Sequence, residues 1–562
     1  MSNPSRGEGS GHIASAAQVK GRASSSKGGA LPPSYPSATV PTTTLLKVVP
    51  ASRPSVRDSL RSLVRTEQSL TQPVRGVERL AQKQFVLNAH RQRRDRLQEM
   101  EEIHHTLDFA LGLGEALIQF GADTLDVESA LVSVCAAYGL DDVEIEITSQ
   151  SVIINYVMDL DEAPDHRSGG AVTGEARASG FADDENSYTV MRVVRTWSEN
   201  FTGLEDTYRL ISDITHRRLS RERATRRLER IFRTSKPYSP LILLLANFVT
   251  AAALTVALGG AWLSAGIAGT VFAIIYGADR AVAHLGLPNF FNMAFGAALI
   301  TFAGISVERL GKIVEAPGIN FTAQYIVAAG LIILLPTSRM VSTIRDALSG
   351  YPLTAAGKFV STGLSLLGIV VGFSSALVAL YLFTGDILMV QDEVFHPAGT
   401  GKNYVFMVIA SLAIAVMYLA RPRMLPWIFG MTSCAIAVHN GVLWLLGAHT
   451  ERTATVLSAV VVGMLGTWVA YRIQAPALIF MVPSLTFLLP GLSFFRGMFQ
   501  SMTLGGGVSG ASSLLTAATV IFSMGAGVVV GGVVMQHLLQ RFVRERELEA
   551  VPLTTQVPLV RR

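Results

Sequence analysis

Cysteine is nearly missing from this chain: two in 562 residues. Cys135 and Cys434 lie in different regions, with no metal-ligand spacing and no disulfide framework, and read as small buried apolar side chains. Charge is also scarce, at 16% of residues against 49% hydrophobic. No phosphate-binding loop, nucleophile elbow, HExxH or dinucleotide glycine pattern occurs. Those absences exclude an ATP-driven pump of the usual kind and leave no cofactor or metal to expect. A secretory leader is not expected either, since the first apolar run long enough to span a bilayer begins near Leu241.

What is present is apolar length. Mean hydropathy is +0.39, a value that over this many residues indicates a multi-spanning membrane protein rather than a string of soluble domains. The charges are segregated: residues 1–236 hold most of them, while 241–538 consists of long apolar stretches with short polar breaks. The net charge of +5 does not point to nucleic acid, because the basic residues crowd beside the first apolar span, where membrane topology accounts for them.

The organisation follows. Residues 1–100 form a disordered and basic N-terminal region, Ser/Gly/Pro-rich at first and then helical at NAHRQRRDRLQEM. Residues 101–236 form a small cytoplasmic α+β domain that ends in an Arg-rich juxtamembrane helix. Its order is helix, helix, strand, strand, strand, helix, with the first two helices stopping at Gly121 and Gly139. His104 and His105 read as a polar surface. About ten segments of spanning length come next, near 240–260, 262–279, 287–306, 322–341, 355–384, 404–420, 425–446, 454–471, 476–496 and 512–538. With the amino terminus inside, Arg280, Arg339, Arg345, Arg421, Arg423 and Arg472 fall at cytoplasmic ends, and the acidic loop GDILMVQDEVFHPAG falls outside. The tail, 539–562, returns to the cytoplasm.

Two apolar runs break in the same way. LIILLPTSRMVSTIRDALSG and LTFLLPGLSFFRGMFQSMTLGG each reach Leu-Leu-Pro, set an arginine a few residues later and arrive at glycine. Each ends the fourth span of a five-span set, so the sets 240–385 and 404–538 are expected to be inverted repeats. The expected fold class is a polytopic α-helical membrane protein of about ten helices in two inverted five-helix repeats, preceded by the α+β domain. Proline removes an amide donor, and unpaired carbonyls inside a membrane are tolerated only against protein or a wet cavity. The candidate substrate pathway is therefore Pro336, Arg339, Asp346, Gly350, Lys358, Asn289, Asn292, Pro490, Gly491 and Arg496. Several have a plainer reading beside them: a kink at Pro490, an Arg496 that snorkels, a loop salt bridge at Asp346, a helix cap at Asn289 and Asn292, and an anchor at Lys358.

Taken together, GLGEALIQFGADTLDVESALVSVCAAYGLDDVEIEITSQSVII, GLPNFFN, IRDALSGYPLTAAGKF and LLPGLSFFRGM resemble the bacterial threonine/serine exporter family, over about 105–540. The resemblance implies ten spans in a bacterial plasma membrane, both termini in the cytoplasm, and export of small amino acids driven by the proton motive force. It also covers relatives linked to dicarboxylate export. The stretch GADTLDVE departs from the family pattern, with Asp123 and Asp126 where relatives commonly carry a Glu and a basic residue; Glu128 matches.

Three functions compete: a secondary exporter of threonine, serine or a dicarboxylate; a membrane-tethered hydrolase; and a metabolite sensor whose soluble domain gates the spans. The partners expected are a small-molecule substrate, the lipid bilayer and coupling protons, with no nucleic acid; assembly into a homo-oligomer is left open.

Overall fold

The computed structural model describes residues 75–157, 187–194, 197–233, 237–282, 286–313, 323–385, 399–447, 450–502 and 507–550. The expected disordered tail, the acidic loops at 161–186 and 386–398, and the end of the C-terminal tail lie outside them. The chain divides into two compact units, Met1–Asn88 and Ala89–Arg562, and the site belongs to the second.

Helix α1 (Arg75–Gln119) buries Leu107, Leu113 and Leu117 completely, and from 109 to 114 every residue is buried, so this stretch is enclosed on all sides. His104 and His105, on its polar side, are exposed. It ends at Gly121, whose φ of +92° is open to glycine and costly for other residues. Helix α2 (Thr124–Ala137) contributes Val127, Leu131, Val134 and Cys135 to the same core. Burial raises the thiol pKa of Cys135 to about 12, so it stays a protonated, inert side chain. Cys434, by contrast, is exposed, against the expectation of burial: it lies on an apolar helix whose outward face is not covered by protein.

Strands β1 (Val143–Ile147), β2 (Ser151–Val157) and β3 (Ser187–Val193) form an antiparallel sheet in that order, with Ile154 opposite Ile145 and Val190. The period of two in β2 sends Val152 and Ile154 into the core. Helices α3 (Phe201–Thr215) and α4 (Arg221–Arg233) complete this part. The arginine-dense α4 packs on it through Ala224, Leu228 and Ile231.

The apolar remainder holds α5 (Pro240–Ala257), α6 (Trp262–Val282), α7 (Asn289–Ile313), α8 (Ala323–Leu334), α9 (Thr337–Leu348) and α10 (Pro352–Thr384). It continues with α11 (Thr400–Met417), α12 (Leu425–Leu446), α13 (Glu451–Ile473), α14 (Leu478–Leu485), α15 (Gly491–Met502) and α16 (Gly507–Ala550). Among the described residues, eight of these helices are long and apolar enough to cross a bilayer. Two bent pairs, α8–α9 at 48° and α14–α15 at 54°, bring the number to ten. The protein is a polytopic helical membrane protein with a small sheet near its N-terminal end.

The helix pairs α7–α10 and α13–α16 make the most extensive contacts, and α5 packs against α11. Both close pairs depend on glycine at the crossing. A Cβ on Gly372 would strike the Ala294 carbonyl, and one on Gly531 the Val460 carbonyl. Without a hydrophobic drive between helices in lipid, such backbone proximity supplies the van der Waals contact that holds them.

Candidate functional site at the junction of the soluble domain and the broken helices

The two proline breaks share one local geometry. The Thr337 N–H donates to the Leu335 carbonyl and the Gly491 N–H to the Leu489 carbonyl, both at 2.8 Å. Each proline carbonyl then accepts the first bond of the next helix, from Met340 at 3.0 Å and Phe494 at 2.9 Å. Much of the backbone freed by proline is thereby satisfied locally. Leu335 and Leu489 are buried, and a Cβ on Gly491 would collide with Ile332 of α8. The breaks lie inside the protein, with the second packed on the first helix of the other broken pair. A buried hydroxyl chain lies before the second: Ser411 donates to the Pro483 carbonyl at 2.9 Å, its oxygen is 2.8 Å from the Thr432 hydroxyl, and that of Thr432 is 3.0 Å from the Ser484 hydroxyl. None of these three residues stands out in the sequence.

The charged centre lies one helix further on. Asp346, near the end of α9, has 1% of its surface exposed. Its Oδ2 accepts from Lys358 Nζ at 2.6 Å and from the Thr124 hydroxyl at 2.9 Å, and its Oδ1 accepts from the Thr124 N–H at 3.1 Å. Lys358 also donates to Ser342 at 2.8 Å. Beside it, Arg345 is ion-paired with Asp123, and the Tyr351 hydroxyl donates to Glu128. Burial in that contact pushes the Tyr351 phenol above its ordinary range. Asp123 keeps its other oxygen, Oδ1, buried without a partner. Asp126, a turn along α2, is raised above the usual carboxylate range by burial, against the opposing pull of Arg345.

Two cavities flank this centre. One of about 310 Å³ is lined by Thr124, Trp197, Arg339, Ser342, Thr354 and Lys358. The other, about 850 Å³, is lined by Asp126, Tyr208, Arg345, Tyr471, Gln474 and Gln536. Arg339 stacks its guanidinium 4.1 Å from the Trp197 ring centroid, and Ser338 donates to Glu199. Glu199 is raised by burial.

The remaining sequence-selected residues are dispersed. Gly350 has φ +95° and turns the chain from α9 into α10, with open space around it. Asn289 donates to Ser365 at 3.0 Å, tying α7 to α10. Asn292 lines a separate, mostly apolar cavity of about 450 Å³ with Asp279 and Phe295. Arg496 is on the exposed side of α15, while Phe494, Phe495 and Met498 face inward. The structure thus brings together Arg339, Asp346 and Lys358, and adds Asp123, Thr124, Asp126 and Arg345. The sequence signal for the first three of these is GADTLDVE, which marks a helix start whose Asp123 side chain caps nothing of its own, while Arg345 is the neighbour of Asp346 in the chain.

Two family descriptions match the chain. "Putative threonine/serine exporter" covers residues 108–168 and 177–380, and "Threonine/Serine exporter, ThrE" covers 403–534. The chain belongs to the threonine/serine exporter family. A relative from Mycobacterium tuberculosis, named "Probable threonine/serine exporter", is 26% identical over 439 residues, 77% of this chain and 77% of its own length. The "Threonine/serine exporter" of Corynebacterium glutamicum is 26% identical over 452 residues, 79% of this chain and 85% of its own. No solved structure shows significant similarity to the chain. With its apolar helices, this membership makes the protein a multi-pass bacterial membrane transporter rather than an enzyme. In this exporter-family chain the first matched description contains both Asp123–Thr124 and Arg345–Asp346.

Proposed function

We propose that the protein exports L-threonine and L-serine, the solutes named in its relatives, and that the amino acid enters beside Asp346, Arg345 and Lys358. The observation that carries this reading is the buried carboxylate of Asp346 paired with Lys358, next to Arg345, whose guanidinium holds Asp123. A zwitterion brings one group of each sign to such a cluster, whereas a dicarboxylate would set a second anion against Asp346. The amino acid is therefore favoured over the dicarboxylate.

The soluble domain and both termini lie in the cytoplasm, a placement supported by the arginines at the α6, α9, α11–α12 and α13 ends. The halves 240–385 and 404–538 act as inverted repeats that rock about the α5–α11 contact; the matching α7–α10 and α13–α16 pairs and the two like breaks support this. Protons drive export, with Asp346 the candidate carrier.

Purified protein in proteoliposomes tests the reading. Threonine and serine should move from the cytoplasmic face, faster with an inward proton gradient, while dicarboxylates should not. Asp346→Asn should lower the flux at least about tenfold. Undiminished threonine flux in that variant would remove the site, and transport of dicarboxylates alone would replace the substrate.

A further inference from the structure

The entrance just described is not open. The groups that a free β-hydroxy-α-amino acid would offer to Asp346 and Arg345 are already there, supplied by the soluble domain. Threonine carries an N–H donor, a hydroxyl and a carboxylate. At the junction, the Thr124 N–H meets one oxygen of Asp346 at 3.1 Å and the Thr124 hydroxyl meets the other at 2.9 Å. The neighbouring carboxylate, that of Asp123, is ion-paired with Arg345. The three groups come from two adjacent residues rather than one molecule, but they face the same two partners.

We infer that the Asp123–Thr124 corner is a tethered substrate mimic: it occupies the threonine site in the resting transporter and must be displaced by cytoplasmic amino acid before export. This rests on the reading of the Asp346 neighbourhood as the substrate site, and it adds the regulation of that site. Three observations favour a displaceable contact over a fixed brace. A cavity of about 310 Å³ is lined by Thr124 and Lys358, and one of about 850 Å³ by Arg345, the partner of Asp123, so a ligand has space from which to compete. The second oxygen of Asp123 is buried with no partner, so the docked corner is incompletely satisfied. The corner also follows a glycine at φ +92° (Gly121), where the chain turns sharply between α1 and α2.

An intramolecular competitor reduces apparent affinity by the fraction of time the site is free. Removing one mimic group should therefore improve affinity for threonine rather than impair it, which no purely structural role predicts. The test uses full-length protein in proteoliposomes. Thr124→Val keeps the shape and loses the hydroxyl; Asp123→Asn loses the carboxylate charge; Thr124→Ser keeps both donors. We expect the half-saturating cytoplasmic threonine concentration to fall about tenfold in the first two and to match the parent in the third. Trp197, stacked on Arg339 beside the corner, supplies a second readout. Its emission should change saturably with threonine in detergent-solubilised protein, at lower concentration in Thr124→Val, and the response should vanish in Trp197→Phe.

A half-saturating concentration unchanged or raised in both Thr124→Val and Asp123→Asn, with flux still measurable, overturns the mimic. So does a Trp197 emission indifferent to threonine. If the parent protein moves no threonine at all, the exporter reading fails instead, and the fluorescence titration alone then decides whether threonine displaces the corner.

Discussion

Asp346 is a carboxylate that lies out of water yet accepts three hydrogen bonds, from Lys358 and from both donors of Thr124. Taking such an anion out of solvent is costly, and the cost is offset only while its partners remain. Lys358→Met should accordingly lower the melting temperature and abolish export. The double variant Lys358→Met with Asp346→Leu should recover the melting temperature but not the flux, because no charge is then stranded. Recovery of both would show that the pair is structural. Acidic groups in the docked domain set a pH dependence. Burial raises Asp126 and Glu199 in the folded state, so each favours its protonated form there. Below the ordinary carboxylate range they cost the junction nothing. As pH rises toward their raised values the detached state ionises first, and docking weakens. Tryptic release of the soluble domain should therefore quicken as pH rises through that window, and a rate that slows would contradict the assignment.

Among the elements, the broken pairs α8–α9 and α14–α15 have the most to explain. A proline interrupts each helix, but the carbonyl before it is answered by the amide after it, and the next helix starts from the proline carbonyl. The bend is thus a defined joint. Gly491 is required there because Ile332 occupies the space where a Cβ would stand. Gly491→Val should destabilise the protein by about 1–3 kcal/mol, seen as a lower melting temperature in detergent. Adding Ile332→Ala should return part of that loss, since the two residues contend for one volume. An unaltered melting temperature in Gly491→Val would mean that the helices are not so closely apposed.

For the molecule as a whole, the soluble domain is clamped to both halves of the membrane part. On the first half it holds Arg345, Asp346 and Tyr351. On the second, the buried Glu205 is paired with Arg421 and Arg423, Asp206 binds Arg421 at 2.6 Å, and Thr202 donates to the Leu419 carbonyl at 2.6 Å. In the proposed rocking of one half against the other, one clamp has to strain or release, and this would couple the α+β domain to transport. Glu205→Ala strips the counter-charge from Arg209, Arg421 and Arg423, of which Arg421 keeps Asp206 and the other two are partly exposed, and should cost about 1–3 kcal/mol. Proteolysis between α4 and α5 should then free the domain at lower protease. A cleavage rate equal to the parent's would show that the clamp on the second half carries little.

Much of this was written in local pattern. The stops at Gly121 and Gly139, the alternation in β2, the apolar helices and the repeated Leu-Leu-Pro are each set within a few residues, where backbone sterics and the polarity of the immediate neighbours act. Arg339, Asp346 and Lys358 could be singled out because charge amid apolar residues is costly and needs a reason. What answers that charge could not be read along the chain. Thr124 and Asp346 are 222 positions apart, and their pairing exists only because the α+β part packs into one continuous core with the apolar helices and presents the start of α2 to the end of α9. Electrostatic and hydrogen-bond complementarity act through space, so the junction of Asp123–Thr124 with Arg345–Asp346 is a property of the tertiary structure, while the elements that meet there belong to the sequence.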